Sequence, residues 1–300
     1  MTSTISTMPA RSAAKTIGLE VWMQRVLERV GQVEQSWDTD DVHALRVALR
    51  RCRTMADALG QVSPDSVWRK IKKSSRTVFR STGDLRDIHV QRAWIKDLSA
   101  SGDPLRKKLL MALARKERQC LPSAEDSLEE FDRKDWRRLF RKASRNAHFF
   151  PLESVVFQRL ALAQLDAAME SHRAATKKRN ATAWHRCRID IKKFRYLVEN
   201  FLPQRYEAWS TDLKRLQDLL GDVHDLDVLR AALRRQASRL NASLVERFRE
   251  RIKAERKARL AEYSARTTGA HSPFVTWRSG FQFGHALVAA PFPRSQRRSA

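Results

Sequence analysis

The chain of 300 residues carries 59 Lys and Arg against 34 Asp and Glu, a formal charge of +25, and 42% of it is hydrophobic. That apolar share excludes a disordered polycation, while the charge excess repels itself in any compact fold unless a partner anion neutralises it. Nine Gly and nine Pro leave too few turn signals for a sandwich or barrel, so the composition predicts an all-α fold.

In chain order, residues 1–14 are Ser/Thr-rich without the apolar run of a secretory signal and read as a disordered N-terminal tail, a transit peptide being the alternative. Ile17, Val21, Val26, Val30 and Val33 recur at helical spacing and predict a first helix over 15–36. Asp38 to Asp41 cap a second helix that Gly60 ends, and Ser63-Pro64 opens a third. Gly83 punctuates, Asp84 begins a fourth helix reaching Leu98, and Asp103-Pro104 starts a fifth that stops before Leu121-Pro122. Pro151 divides the chain into halves of about 15–150 and 151–265. The second half reads as helices at about 152–177, 182–201, 205–220, 222–239 and 242–264. Residues 266–300, interrupted by Gly and Pro, read as an irregular C-terminal tail whose Phe274, Trp277, Phe281 and Phe283 could pack back onto the body.

Cys52, Cys120 and Cys187 form neither a disulfide framework nor a zinc spacing, which suggests a reducing compartment and a cytoplasmic protein. The apolar stretch around Phe281 to Pro293 falls short of the ~20 residues that span a bilayer, so no membrane span is expected.

Two blocks repeat. His43-Ala-Leu-Arg46-Val-Ala-Leu-Arg50-Arg51-Cys-Arg53 aligns with His185-Arg-Cys-Arg188-Ile-Asp-Ile-Lys192-Lys193-Phe-Arg195 at an offset of 142 residues. Gly83-Asp84-Leu-Arg86-Asp87 aligns with Gly221-Asp222-Val-His224-Asp225 at an offset of 138. At ~100° per residue the His and the basic residues at +3, +7 and +10 share a stripe about 80° wide that climbs ~15 Å. Arg51 and Lys193, at +8, lie ~80° off it. Leu45, Leu49, Cys52, Ala56 and Leu59, and in the second copy Cys187, Ile191, Phe194, Val198 and Phe201, form the opposite, buried face. A solvated helix face mixes signs to gain i,i+4 pairs, whereas these stripes hold no acid, which points to an external anion. Periodicity adds Arg69, Lys72, Lys73, Arg76 and Arg80 on the third helix, with a weaker counterpart at Lys214, as secondary contacts. Asp84, Asp87, Asp222 and Asp225 read as structural ion-pair partners for basic residues across the bundle.

These motifs resemble the CHAD family, the conserved-histidine α-helical domain, over about 15–265. The resemblance implies two pseudo-twofold-related four-helix bundles from an internal duplication, a basic central cavity that binds inorganic polyphosphate, and association with polyphosphate granules. It makes His43, Arg46, Arg50, Arg53, His185, Arg188, Lys192 and Arg195 phosphate contacts, with Arg51 and Lys193 beside them. The catalytic CYTH domain that many members carry is not expected, since its ExExK motif is missing. We therefore expect a non-catalytic polyanion binder without cofactor or metal, touching nucleic acid only nonspecifically. A nonspecific nucleic-acid binder and a histidine phosphoacceptor at His43 or His185 are the alternatives.

Overall fold

The computed structural model describes residues 18–147 and 151–281. The tail at 1–14, residues 148–150 at the half-boundary and residues 282–300 lie outside the described residues. The described residues form helices and no strand, as the composition predicts: α1 (Leu19–Ser36), α2 (Thr39–Val62), α3 (Ser66–Ser74), α4 (Arg76–Leu98), α5 (Pro104–Glu129), α6 (Arg133–Ala147), α7 (Val155–Lys178), α8 (Ala181–Phe201), α9 (Pro203–Gln236), α10 (Ala242–Thr267) and α11 (Pro273–Ser279).

Side-chain caps set several helix starts. Asp38 accepts from the backbone N–H groups of Asp40 and Asp41 at 2.8 Å each, and Asp103 accepts from Leu105 at 2.8 Å. Asp65 and Asn180 do the same for α3 and α8. Each such cap is worth ~1 kcal/mol.

Glycine and proline end fewer helices than expected. Gly60, Gly83, Pro122 and Gly221 all lie inside helices, so the segments expected at 205–220 and 222–239 are the single helix α9, and α5 runs on to Glu129. An interior Gly costs only ~1 kcal/mol, and the apolar residues buried on either side outweigh it: Val78 and Leu85 around Gly83, Leu220 and Val223 around Gly221. The break comes instead at Ser75, whose hydroxyl donates to the Ile71 carbonyl (2.9 Å) and competes with the helical ladder. Arg76 and Arg80 consequently belong to α4, not to the third helix.

The apolar faces read from the repeat are buried on α2 and α8, including Leu45, Leu49, Cys52, Cys187, Ile191 and Phe194. One core packs α1, α2, α3, α6, α7, α8 and α11 with the N-terminal parts of α4 and α9 and the C-terminal ends of α5 and α10; a second gathers the C-terminal parts of α4 and α9 with the N-terminal parts of α5 and α10. Both cores draw on both halves, so the repeat boundary near Pro151 is not a boundary in packing.

The irregular tail expected from 266 needs correction. α10 extends to Thr267, and α11 buries Phe274 and Trp277, with Phe281 just beyond it. Trp277 meets Phe194 at 5.4 Å between ring centroids, and Phe281 meets Trp209 at 5.3 Å. Gly280 permits this closure, because a Cβ there would stand 2.4 Å from the Trp209 ring.

Candidate functional site

α2, α4, α8 and α9 surround a cavity of about 640 Å³ between the two halves. α2 faces α8 and α4 faces α9, so the two copies of each repeated block meet across it. The lining pairs accordingly: His43 with His185, Arg46 with Arg188, Arg50 with Lys192, Arg86 with His224 and Asp87 with Asp225.

Each cation arrives by a different support. Arg46, 9% exposed, donates from Nη1 to the Phe79 carbonyl (2.5 Å) and to Thr82 Oγ1 (3.1 Å), which ties α2 to α4 while the guanidinium still borders the cavity. Its carbon stands 4.5 Å from the Phe79 ring centroid, with that of Arg50 at 5.7 Å. Burial, then the nearby Arg50 and Arg188 charges, push the Lys192 amine down to about 6. Burial and the Arg188 charge likewise push His224 down to about 4, and His185 shares an Nδ1 to Nδ1 hydrogen bond of 3.1 Å with it. The protein around His43, with Arg86 and Arg50, pushes that imidazole to about 4. The histidines and the Lys192 amine are therefore largely neutral near neutral pH in the unliganded cavity, and the positive charge comes from the Arg side chains and Lys193.

Acids share the cavity, which the stripes alone did not show. Asp87, Asp218, Asp222 and Asp225 line it. Burial raises the Asp225 carboxyl to about 6 against the opposing pull of Arg188. Only part of the expected set of ion pairs forms. Asp222 pairs with Arg259 at 2.9 Å and Asp84 reaches Lys116 at 3.9 Å, whereas among the described residues no Lys or Arg nitrogen lies within 4.0 Å of Asp87 or Asp225. Asp87 and Asp225 line the cavity, where the charges of Arg46 and Arg188 respectively oppose the effect of burial on them.

Three residues of the repeated motif are elsewhere. Arg51 is buried, donates to Glu199 on α8 (2.6 Å) and lies over the Trp22 ring at 4.2 Å. Arg195 approaches the other Glu199 oxygen at 3.6 Å. Arg51 thereby ties the two halves together behind the cavity, while Arg195, one turn before Glu199 on the same helix, adds countercharge to that buried carboxylate. Arg53 turns to α3, donating to the Lys72 carbonyl (2.7 Å) and to Ser75 Oγ (3.2 Å). It lines a separate cavity with Arg69, Lys72, Lys73, Arg76 and Arg80, so these secondary residues do not reach the central one. Lys214 is exposed on α9 and lines no described cavity. Lys193, by contrast, does line the central cavity.

Arg86, His224, Phe79 and Tyr196 also line the cavity, outside the rows that the sequence predicts. Arg86 and His224 occupy the same offset of the second repeated block, a signal present in the sequence. Among the described residues no three His, Cys, Asp or Glu side chains are placed to hold a metal ion. No helix of the described residues is long and apolar enough to cross a membrane.

A family model described as the CHAD domain matches residues 22–234, more than half of the chain. Among solved structures, the crystal structure of the CHAD domain from the plant Ricinus communis superposes with a TM-score of 0.58 at 19% identity, covering 92% of this chain and 91% of that one. No curated protein matches the chain.

Proposed function

Because this chain belongs to the CHAD family, we propose that its central cavity binds inorganic polyphosphate without turning it over and that the protein associates with polyphosphate granules in the cytoplasm. The observation that carries this reading is the cavity itself, in which Arg46, Arg50, Arg86, Arg188, Lys192 and Lys193 converge from α2, α4 and α8. Polyphosphate offers a row of identical phosphoryl oxygens, so recognition calls for rigid donors spread along a path. Arg forks supply paired N–H groups, and Lys supplies a point charge. The lining cations outnumber the four aspartates, so the net attraction grows with the charge the ligand brings, which favours a polyanion over orthophosphate.

Calorimetric titration at ~150 mM salt, where weak surface electrostatics are screened, tests the reading with wild type and an Arg50→Ser/Arg188→Ser variant. The expected result is tight binding of polyphosphate by wild type, resistance to competing duplex DNA, loss in the variant and no release of orthophosphate. Equal displacement by DNA with an unaffected variant would mean generic charge. Orthophosphate release would mean an enzyme. A fluorescent fusion that ignores polyphosphate granules would remove the granule association.

A further inference from the structure

The second cavity, about 470 Å³, is lined by Arg53, Arg69, Lys72, Lys73, Arg76 and Arg80 around Phe79 and by no carboxylate. The central cavity sets four aspartates against its six Arg and Lys side chains. Asp57, bonded to Lys72, is the one acid paired with a lining residue of the second cavity among the described residues. The field is therefore more strongly positive in the second cavity than in the first. Along α3 and α4, Arg69 and Lys73, Lys72 and Arg76, and Arg76 and Arg80 stand at i,i+4 spacing as like charges, a cost that a bound anion offsets.

Two features make this a built site. Arg53 is held by the Lys72 carbonyl (2.7 Å) and Ser75 Oγ (3.2 Å), so its guanidinium is oriented before any ligand arrives. The half-buried Phe79 ring is a wall common to both cavities. The guanidinium carbons of Arg46, Arg50 and Arg53 stand 4.5, 5.7 and 5.4 Å from its centroid, so cations follow one another from one cavity to the next. The second half does not repeat the basic row: at the 138-residue offset, Arg69, Lys72, Lys73, Arg76 and Arg80 become Glu207, Ser210, Thr211, Lys214 and Asp218.

We propose that the α3–α4 cavity is a second condensed-phosphate site, joined to the central one across Phe79, so that one long polyphosphate chain occupies both while a short one occupies either alone. The proposal rests on the polyphosphate reading of the central cavity. The binding path is then one-sided despite the internal duplication: a long chain continues from the central cavity only toward α3.

The test titrates tripolyphosphate and long-chain polyphosphate into four proteins: wild type, the second-cavity variant Arg69→Ser/Arg76→Ser/Arg80→Ser, the central variant Arg50→Ser/Arg188→Ser, and a charge-matched control, Lys107→Ser/Lys108→Ser/Arg247→Ser. The control residues are exposed and line no described cavity, and Arg69, Arg76 and Arg80 are themselves exposed, so these variants retain the fold. Wild type is expected to take up two tripolyphosphates per chain and each site variant one. Long-chain affinity is expected to fall at least about tenfold in either site variant and less than about twofold in the control. A single tripolyphosphate in wild type, untouched by the second-cavity variant, with long-chain affinity lowered no further than in the control, would overturn the second site and leave the central reading standing. No binding by wild type would remove both. Loss confined to the second-cavity variant would remove the central reading and the bridging together.

Discussion

Arg51 and Lys193 stand at the same offset of the repeated motif and end in opposite settings, one buried against Glu199 and Trp22, the other exposed at the cavity. Arg51 is thus a structural cation. Arg51→Met leaves Glu199 buried with only Arg195 at 3.6 Å, and should lower unfolding free energy by about 3 kcal/mol in denaturant titration while affinity per folded molecule stays unchanged. Lys192 shows a different consequence of burial. Its amine, held near 6 by burial and the Arg50 and Arg188 charges, is largely neutral near neutral pH. A bound polyanion raises that value, so binding takes up a proton between the free and bound values and affinity rises as pH falls from about 8 to about 6. Protonation of Asp225, at about 6, removes a cavity negative charge and acts in the same direction. Calorimetry in buffers of different ionisation enthalpy should record this uptake near neutral pH, and Lys192→Gln should abolish most of it.

At the scale of elements, α3 and α4 correspond to the N-terminal and later parts of α9, yet only the first pair is broken, at Ser75. The break lets Arg53 reach the Lys72 carbonyl, and with it the basic arc leaves the central cavity. α11 shows how little local signal a short helix needs when its aromatics have a receiving surface. Phe194 and Trp209 supply that surface from α8 and α9. Trp277→Ala should cost about 3–5 kcal/mol of stability, read from the denaturant midpoint, because Trp277 is 1% exposed and its removal leaves a cavity against Phe194.

For the whole molecule, the two halves share both hydrophobic cores and are further tied by Arg51 and Glu199, so the cavity between them is a fixed feature and not a cleft between independent bundles. Fixed donors make salt the main control on affinity. If six central cations each meet a phosphate, log affinity should fall with log salt at a slope of about −4, at roughly 0.7 per contact. The Arg50→Ser/Arg188→Ser variant should shallow that slope by about 1.4, a change measured by repeating the titration across ionic strengths.

What was legible in the sequence was what a single helix determines: the all-α fold, the helix starts capped by Asp38 and Asp103, the apolar faces of α2 and α8, and the rows His43 to Arg50 and His185 to Lys192. These follow from spacing and local hydrogen bonding, which a neighbour rarely overrides. The tertiary structure decided where a long side chain ends and what it meets. Arg53 and Arg195 share a helix face with the cavity residues, yet the Lys72 carbonyl and Glu199 turn them away. Asp87 and Asp225 line the cavity among its cations without a direct ion pair, and Gly83 and Gly221 stay helical because flanking burial exceeds their entropic cost. A flexible side chain several bonds long selects its partner from whatever packing brings near, and that choice is made only once the helices have met.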